Sequence, residues 1–131
     1  MSKAIINPET LFDPEPFGFS HVVSAPSGRL VYIAGQGGEN RNGVLASGFE
    51  AQVGQAFSNL ATAMSAAGVD PSHVVKISTF IVDHDETKLG LLTDAVRDLF
   101  GPSLPAQTLV PVTRLALDGM LFEVEAIAVV G

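Results

Sequence analysis

Met120-Leu121-Phe122-Glu123-Val124-Glu125-Ala126-Ile127-Ala128-Val129-Val130, at the end of the chain, decides how it folds. Successive residues of a strand point to opposite faces. The even positions are wholly apolar and suit a layer beneath helices. The odd positions set two carboxylates, Glu123 and Glu125, among Leu121, Ile127 and Val129. A face left to water would not need those aliphatics. This side is therefore expected to be covered too, most simply by other copies of the chain.

Two helices to cover the even face lie upstream. Phe49, Val53, Ala56, Phe57, Leu60, Ala63, Met64 and Ala67 recur at helical spacing. Ser47 and Glu50 read as a capping box at the start, and Gly68 as the glycine that ends the helix. Leu89, Leu92, Ala95, Val96, Leu99 and Phe100 form a second stripe, with Asp85 as its N-cap and Gly101-Pro102 as its stop. Between them, His73 to Val82 alternates with both faces mostly apolar, which predicts a central strand. Val75, Ile77, Thr79 and Ile81 are expected to share one face. Residues 105–115 read as a strand placed at an edge or bulged by Pro111.

Nearer the start, His21-Val22-Val23 and Arg29 to Ala34 read as a hairpin across the turn Ala25-Pro26-Ser27-Gly28. Gly35 to Gly43 reads as a loop. Residues 1–18, with Pro8, Pro14 and Pro16, read as an irregular arm. The order is ββαβαββ, an α+β single domain over 1–131, with two helices on one face of a mixed sheet.

The chain has 131 residues, 47% of them apolar, which suits one domain with an ordinary core. Seven basic against fourteen acidic residues give a net charge of −7, a poor surface for phosphates. No nucleic-acid partner is expected. The absence of cysteine excludes disulfides and thiolate chemistry. No apolar run approaches the ~20 residues that span a bilayer, and the first residues resemble neither a signal nor a transit peptide. A cytoplasmic location without membrane contact is the expectation. Gly35-Gln36-Gly37-Gly38 lacks the context of a phosphate loop. Asp83-His84-Asp85 places adjacent side chains that do not converge on one ion, so no metal site is expected.

The residues, taken in order, resemble those of the reactive-intermediate (imine) deaminase family, the RidA or YjgF-like proteins. The resemblance runs from about Phe17 to Val129. It rests on Ser20-His21-Val22-Val23, Ile33-Ala34-Gly35-Gln36, Glu50-Ala51-Gln52, Gln55 to Leu60, and Ala66-Ala67-Gly68. Val74 to Phe80, Leu104-Pro105-Ala106, Thr113-Arg114-Leu115 and Glu123 to Ala128 complete it. The resemblance implies a chorismate-mutase-like fold and a homotrimer, its sheets around a central barrel, its helices outside, and small-molecule clefts between neighbouring subunits. It implies hydrolysis of imines and enamines with no metal and no cofactor. Carried over residue by residue, Glu123 takes the place of the carboxylate that positions water. Gly35 and Ala34 lie beside the substrate, and Phe19 stands where the family has a tyrosine.

One departure changes the chemistry. The family's substrate-gripping arginine lies in a Pro-Ala-Arg-Ser segment, and this chain reads Pro105-Ala106-Gln107-Thr108. Glutamine carries no charge, so a charge-assisted fork worth ~1.5–3 kcal/mol is lost. Arg114, seven residues on, is ~23 Å further along an extended strand and does not replace it. The substitution argues against the usual 2-iminoacid deaminase activity. It leaves a cleft for an uncharged or amide-bearing metabolite, with C–N hydrolysis by Glu123 and binding by Gln107 as the first reading. A non-catalytic ligand-binding or regulatory trimer is the alternative. Ribonuclease or translation-inhibitor activity, also attributed to the family, is least favoured by the acidic charge.

Overall fold

The computed structural model describes residues 3–131; Met1 and Ser2, the first positions of the expected arm, lie outside the described residues. Six strands and two helices follow in the order β1 (Ala4–Ile6), β2 (Val22–Ser24), β3 (Arg29–Gly37), α1 (Phe49–Ala66), β4 (Val74–Val82), α2 (Glu86–Phe100), β5 (Ala106–Val112) and β6 (Phe122–Val130). The main sheet has the order β3-β6-β4-β5. β6 runs antiparallel to both β3 and β4, so those two are parallel to each other and joined by α1. β4 and β5 are parallel and joined by α2. Both crossovers lie on one face, and β6 fills the slot between β3 and β4. The α+β class and the ββαβαββ order stand, with one short strand added in front.

The even residues of β6 sit under the helices as their pattern requires. Phe122, Val124, Ala126 and Ala128 are buried. Phe122 stacks on Phe57 of α1 at 5.8 Å and meets Phe49 edge-on at 6.0 Å. Val53, Ala56, Leu60 and Met64 complete the α1 stripe, and Leu92, Val96 and Phe100 supply that of α2. At the end of α1, Gly68 has φ +70°; its amide bonds Ser65 O, and that of Val69 bonds Met64 O. Here glycine's freedom is used to close a helix. Asp85 caps α2 by accepting from the Lys88 amide at 2.8 Å.

Several expectations are corrected. The arm is not irregular throughout: Ala4–Ile6 forms β1, and Glu15–Phe17 forms a 3-10 turn. No β2–β3 hairpin forms. β2 pairs antiparallel with β1, whose entry is fixed by Lys3 Nζ donating to Val74 O at 2.6 Å and Ser103 O at 2.8 Å. The stretch from Gly35 to Gly37 is strand rather than loop, because a bulge between Ile33 and Gln36 lets β3 continue along β6. The Ser47 capping box is not made. The N-cap is Gly48, at φ +90°, and no side chain caps the helix. A second bulge between Val74 and Lys76 takes Val75 out of the buried row, which becomes Val74, Ile77, Thr79 and Ile81. β5 is the edge strand that Pro111 requires, but it ends at Val112.

Candidate active site

Pairing across β4 and β5 sets the direction of Gln107. It lies opposite Ile77, and Leu109 opposite Thr79, so both share the helix-covered face. They form the floor of a cavity of about 490 Å³. α2 supplies Leu89, Leu92 and Thr93, and the arm closes it with Phe12, Phe17 and Phe19. The aromatic wall holds itself together. Phe12 meets Phe17, Phe19 and His21 edge-on at 5.9, 6.0 and 5.0 Å. His21 Nε2 lies 2.8 Å from Phe12 O, so His21 braces the wall from behind. The arm is tied to the body by Ser20 Oγ donating to Leu104 O at 2.6 Å and by the Arg97–Glu15 ion pair at 3.1 Å. Among the described residues, no charged side chain lines the cavity. The amide of Gln107 bonds on both sides: its Oε1 accepts from Thr79 Oγ1 at 3.2 Å, and its Nε2 donates to Gly18 O at 3.4 Å.

Glu123 and Gly35 form a second group on the other side of the sheet. Glu123 is an odd residue of β6, paired with Phe80 and Gly37. Its carboxylate lies over the bulge of β3. A Cβ on Gly35 would fall 1.7 Å from Glu123 Oε1, so only glycine admits the carboxylate there. Partial burial, then the nearby charges of Glu39 and Glu125, push the Glu123 carboxyl above the ordinary carboxylate value. Glu39 has one buried oxygen, Oε1, without a hydrogen-bond partner. Gly35 also lines a polar cleft against α1, where Asn59 Nδ2 donates to Gly37 O and Glu39 O at 3.0 and 2.8 Å.

One chain therefore brings Phe19 to Gln107, and Gly35 to Glu123, but does not join the two pairs. Gln107 and Glu123 lie two strands and three residues apart, ~10 Å in each direction, and on opposite faces. Ala34 is exposed at the bulge, where its carbonyl accepts from Gln36 Nε2 at 3.0 Å. Arg114 takes no part. It pairs with Asp118 of its own loop at 2.9 Å. Asp85 is occupied as a helix cap, and among the described residues no group of three His, Cys, Asp or Glu is placed to hold a metal ion. Sequence reasoning missed Phe12, Phe17 and Thr79. The available signal was three of the eight phenylalanines within residues 12–19.

The family profile described as Endoribonuclease L-PSP matches residues 14–130. The chain belongs to the RidA/YjgF family. A Dermatophagoides farinae protein named 2-iminobutanoate/2-iminopropanoate deaminase is 30% identical over 131 residues, covering 98% of this chain and 97% of that one. Among solved structures, a Rid-family protein of unknown function, YyfB from Yersinia pestis, superposes with a TM-score of 0.93 at 38% identity. That match covers 99% of this chain and 100% of the other. RidA from an Antarctic Psychrobacter gives a TM-score of 0.71 at 29% identity, covering 86% and 88%. Both similarities extend over most of the RidA fold.

Proposed function

We propose that the protein hydrolyses a C–N bond of a small, neutral imine or enamine, in clefts shared between copies of the chain. The observation that carries this reading is Gln107 on the floor of a cavity lined, among the described residues, by no charged side chain. A carboxylate buried there would lack a cation, a cost of several kcal/mol. A neutral carbonyl-like or imine group meets an amide donor instead. This separates the chain from its deaminase-named relatives in substrate, not in reaction type.

Glu123 supplies the chemistry. Since it occupies the opposite face from Gln107, the Glu123 that serves a ligand on Gln107 belongs to a neighbouring copy, in the trimer that family resemblance implies. Its raised proton affinity suits it to accept a proton from water as the water oxygen adds to the imine carbon. That proton passes to nitrogen and gives a carbinolamine; the hydroxyl proton follows it to nitrogen through the same carboxylate as the C–N bond breaks, and a carbonyl compound and ammonia or an amine leave. The peptide around Gly35 lies beside that carboxylate, where it can orient the same water.

The test compares two substrates: 2-iminobutanoate, made in place by a dehydratase, and benzophenone imine, a neutral ketimine. Wild type is expected to speed release of the ketone from the neutral imine and to leave the acid unaffected. Gln107→Arg should gain the acid, and Glu123→Gln should lose the neutral activity by ~100-fold or more, the range of a general base. Acceleration of neither imine removes hydrolysis. In that case binding without turnover becomes the better reading, favoured by a cavity with no proton-moving group of its own, and a ligand-dependent rise in Tm supports it. Salt-dependent RNA binding would favour the nuclease reading over both.

A further inference from the structure

Three described polar side chains are almost fully buried: Ser20, Gln52 and Thr79. Ser20 bonds a backbone carbonyl, and Gln52 bonds two carbonyls and an amide of the backbone. Thr79 differs. It sits in the middle of β4, on the helix-covered face, with no exposed surface, where valine would fill the same volume. Its hydroxyl gives its bond to another side chain, the amide of Gln107. A buried hydroxyl on an apolar face is costly unless it is paired, so the pair calls for a reason.

The orientation of that amide is dictated by its second neighbour. Gly18 O, 3.4 Å from Nε2, can only accept. Turning the amide over would face two oxygens at that distance. Oε1 therefore points to the Thr79 hydroxyl, and Nε2 keeps one hydrogen for Gly18 and a second for the cavity. The other polar group on the wall, Thr93, gives its hydroxyl hydrogen to Phe17 O at 3.2 Å. The cavity thus offers a ligand one fixed donor among aromatic and aliphatic walls.

We propose that Thr79 is a positioning residue that holds Gln107 as a donor, so that the cavity selects uncharged ligands bearing one acceptor, a ketone oxygen or imine nitrogen, on an aromatic or branched apolar body. This deepens the reading of that cavity as the ligand site and rests on it. Three probes of nearly one shape separate the possibilities: phenylacetone, its hydrocarbon counterpart isobutylbenzene, and phenylacetate. Each is titrated by NMR against the full chain. Thr79→Val should weaken phenylacetone by ~5–10-fold, the worth of one hydrogen bond, and leave isobutylbenzene unchanged. Thr79→Ser should restore the ketone. Gln107→Leu should reproduce the selective loss, which keeps the test decisive if Thr79→Val misfolds. Equal weakening of both neutral probes would mark Thr79 as merely structural. An unchanged ketone affinity, or phenylacetate bound as tightly as phenylacetone by wild type, also overturns the inference. If none of the three saturates, the cavity itself fails as a ligand site, and the inference falls with it.

Discussion

Gly38 and Gly35 are both places where a side chain has been excluded, for different reasons. At Gly38 the loop after β3 rests on α1, and an added Cβ would lie 2.6 Å from Gln52 Cα. At Gly35 the obstacle is the far end of the Glu123 side chain. Backbone cannot step aside as a carboxylate can. Gly38→Ala is therefore expected to lower stability by ~1–3 kcal/mol, as overpacking of a rigid contact does. Gly35→Ala should cost less than half of that while displacing Glu123. Urea midpoints of the two variants check the order, and a larger loss at Gly35 would refute it. A sequence shows that a glycine is present and not what presses on it. Gly35 was legible through its family motif, whereas Gly38 was not.

Among the elements, the least conspicuous organiser is Gln52 on α1. Its Nε2 donates to Ala46 O and Gly119 O at 3.1 and 2.9 Å, and its Oε1 accepts from the Leu121 amide at 2.8 Å. One buried amide thus ties the helix to the loops on either side of it. Gln52→Leu strands two carbonyls and an amide, and calorimetry should find it ~2–4 kcal/mol less stable. Lys3 does the same for β1. Burial pulls its ammonium down to about 8, although Asp70 acts in the opposite sense. Between pH 8 and 10.5 the unfolded chain holds more protons at this site than the folded one, so this group makes stability rise with pH across that window. Lys3→Met should lack that rise, seen as a difference in midpoint against wild type. Parallel midpoints for the two proteins across the window would contradict it.

The helices and the long strands were legible because their periodicity matches the burial they achieve. The failures have a common form. Ala4–Ile6 is only three residues long and is fixed by Lys3 reaching carbonyls some seventy and a hundred residues away. No local pattern announces such a tie. Ser47 carries a good cap signature, but the chain enters α1 through Gly48, and no side chain caps the helix. The two bulges were invisible because each alters pairing without altering composition. At the site, the resemblance marked Phe19, Gly35, Gln107 and Glu123. It passed over Thr79 and Phe12, whose importance depends on what a single fold brings beside them.

At the scale of the molecule, the face of the sheet away from the helices carries an exposed apolar row. Tyr32 is 71% and Leu30 56% exposed, with Ile127 and Val129 beside them in register. Such a row is expected to bury itself against other copies. Light scattering should report a particle three times the 13.7 kDa chain. Tyr32→Glu, which sets a charge within that row, should shift it toward single chains. A wild-type particle of one chain would remove the shared cleft.

The placement of Gln107 and Glu123 on opposite sides of one sheet has a genetic consequence. If each working centre takes one residue from either side of a seam, two defective chains can repair each other. Glu123→Gln and Gln107→Ala subunits, each impaired alone, would regain turnover when co-expressed, at those seams where the sound half of one abuts the sound half of the other. Centres confined within single subunits would give no more than the average of the two impaired chains.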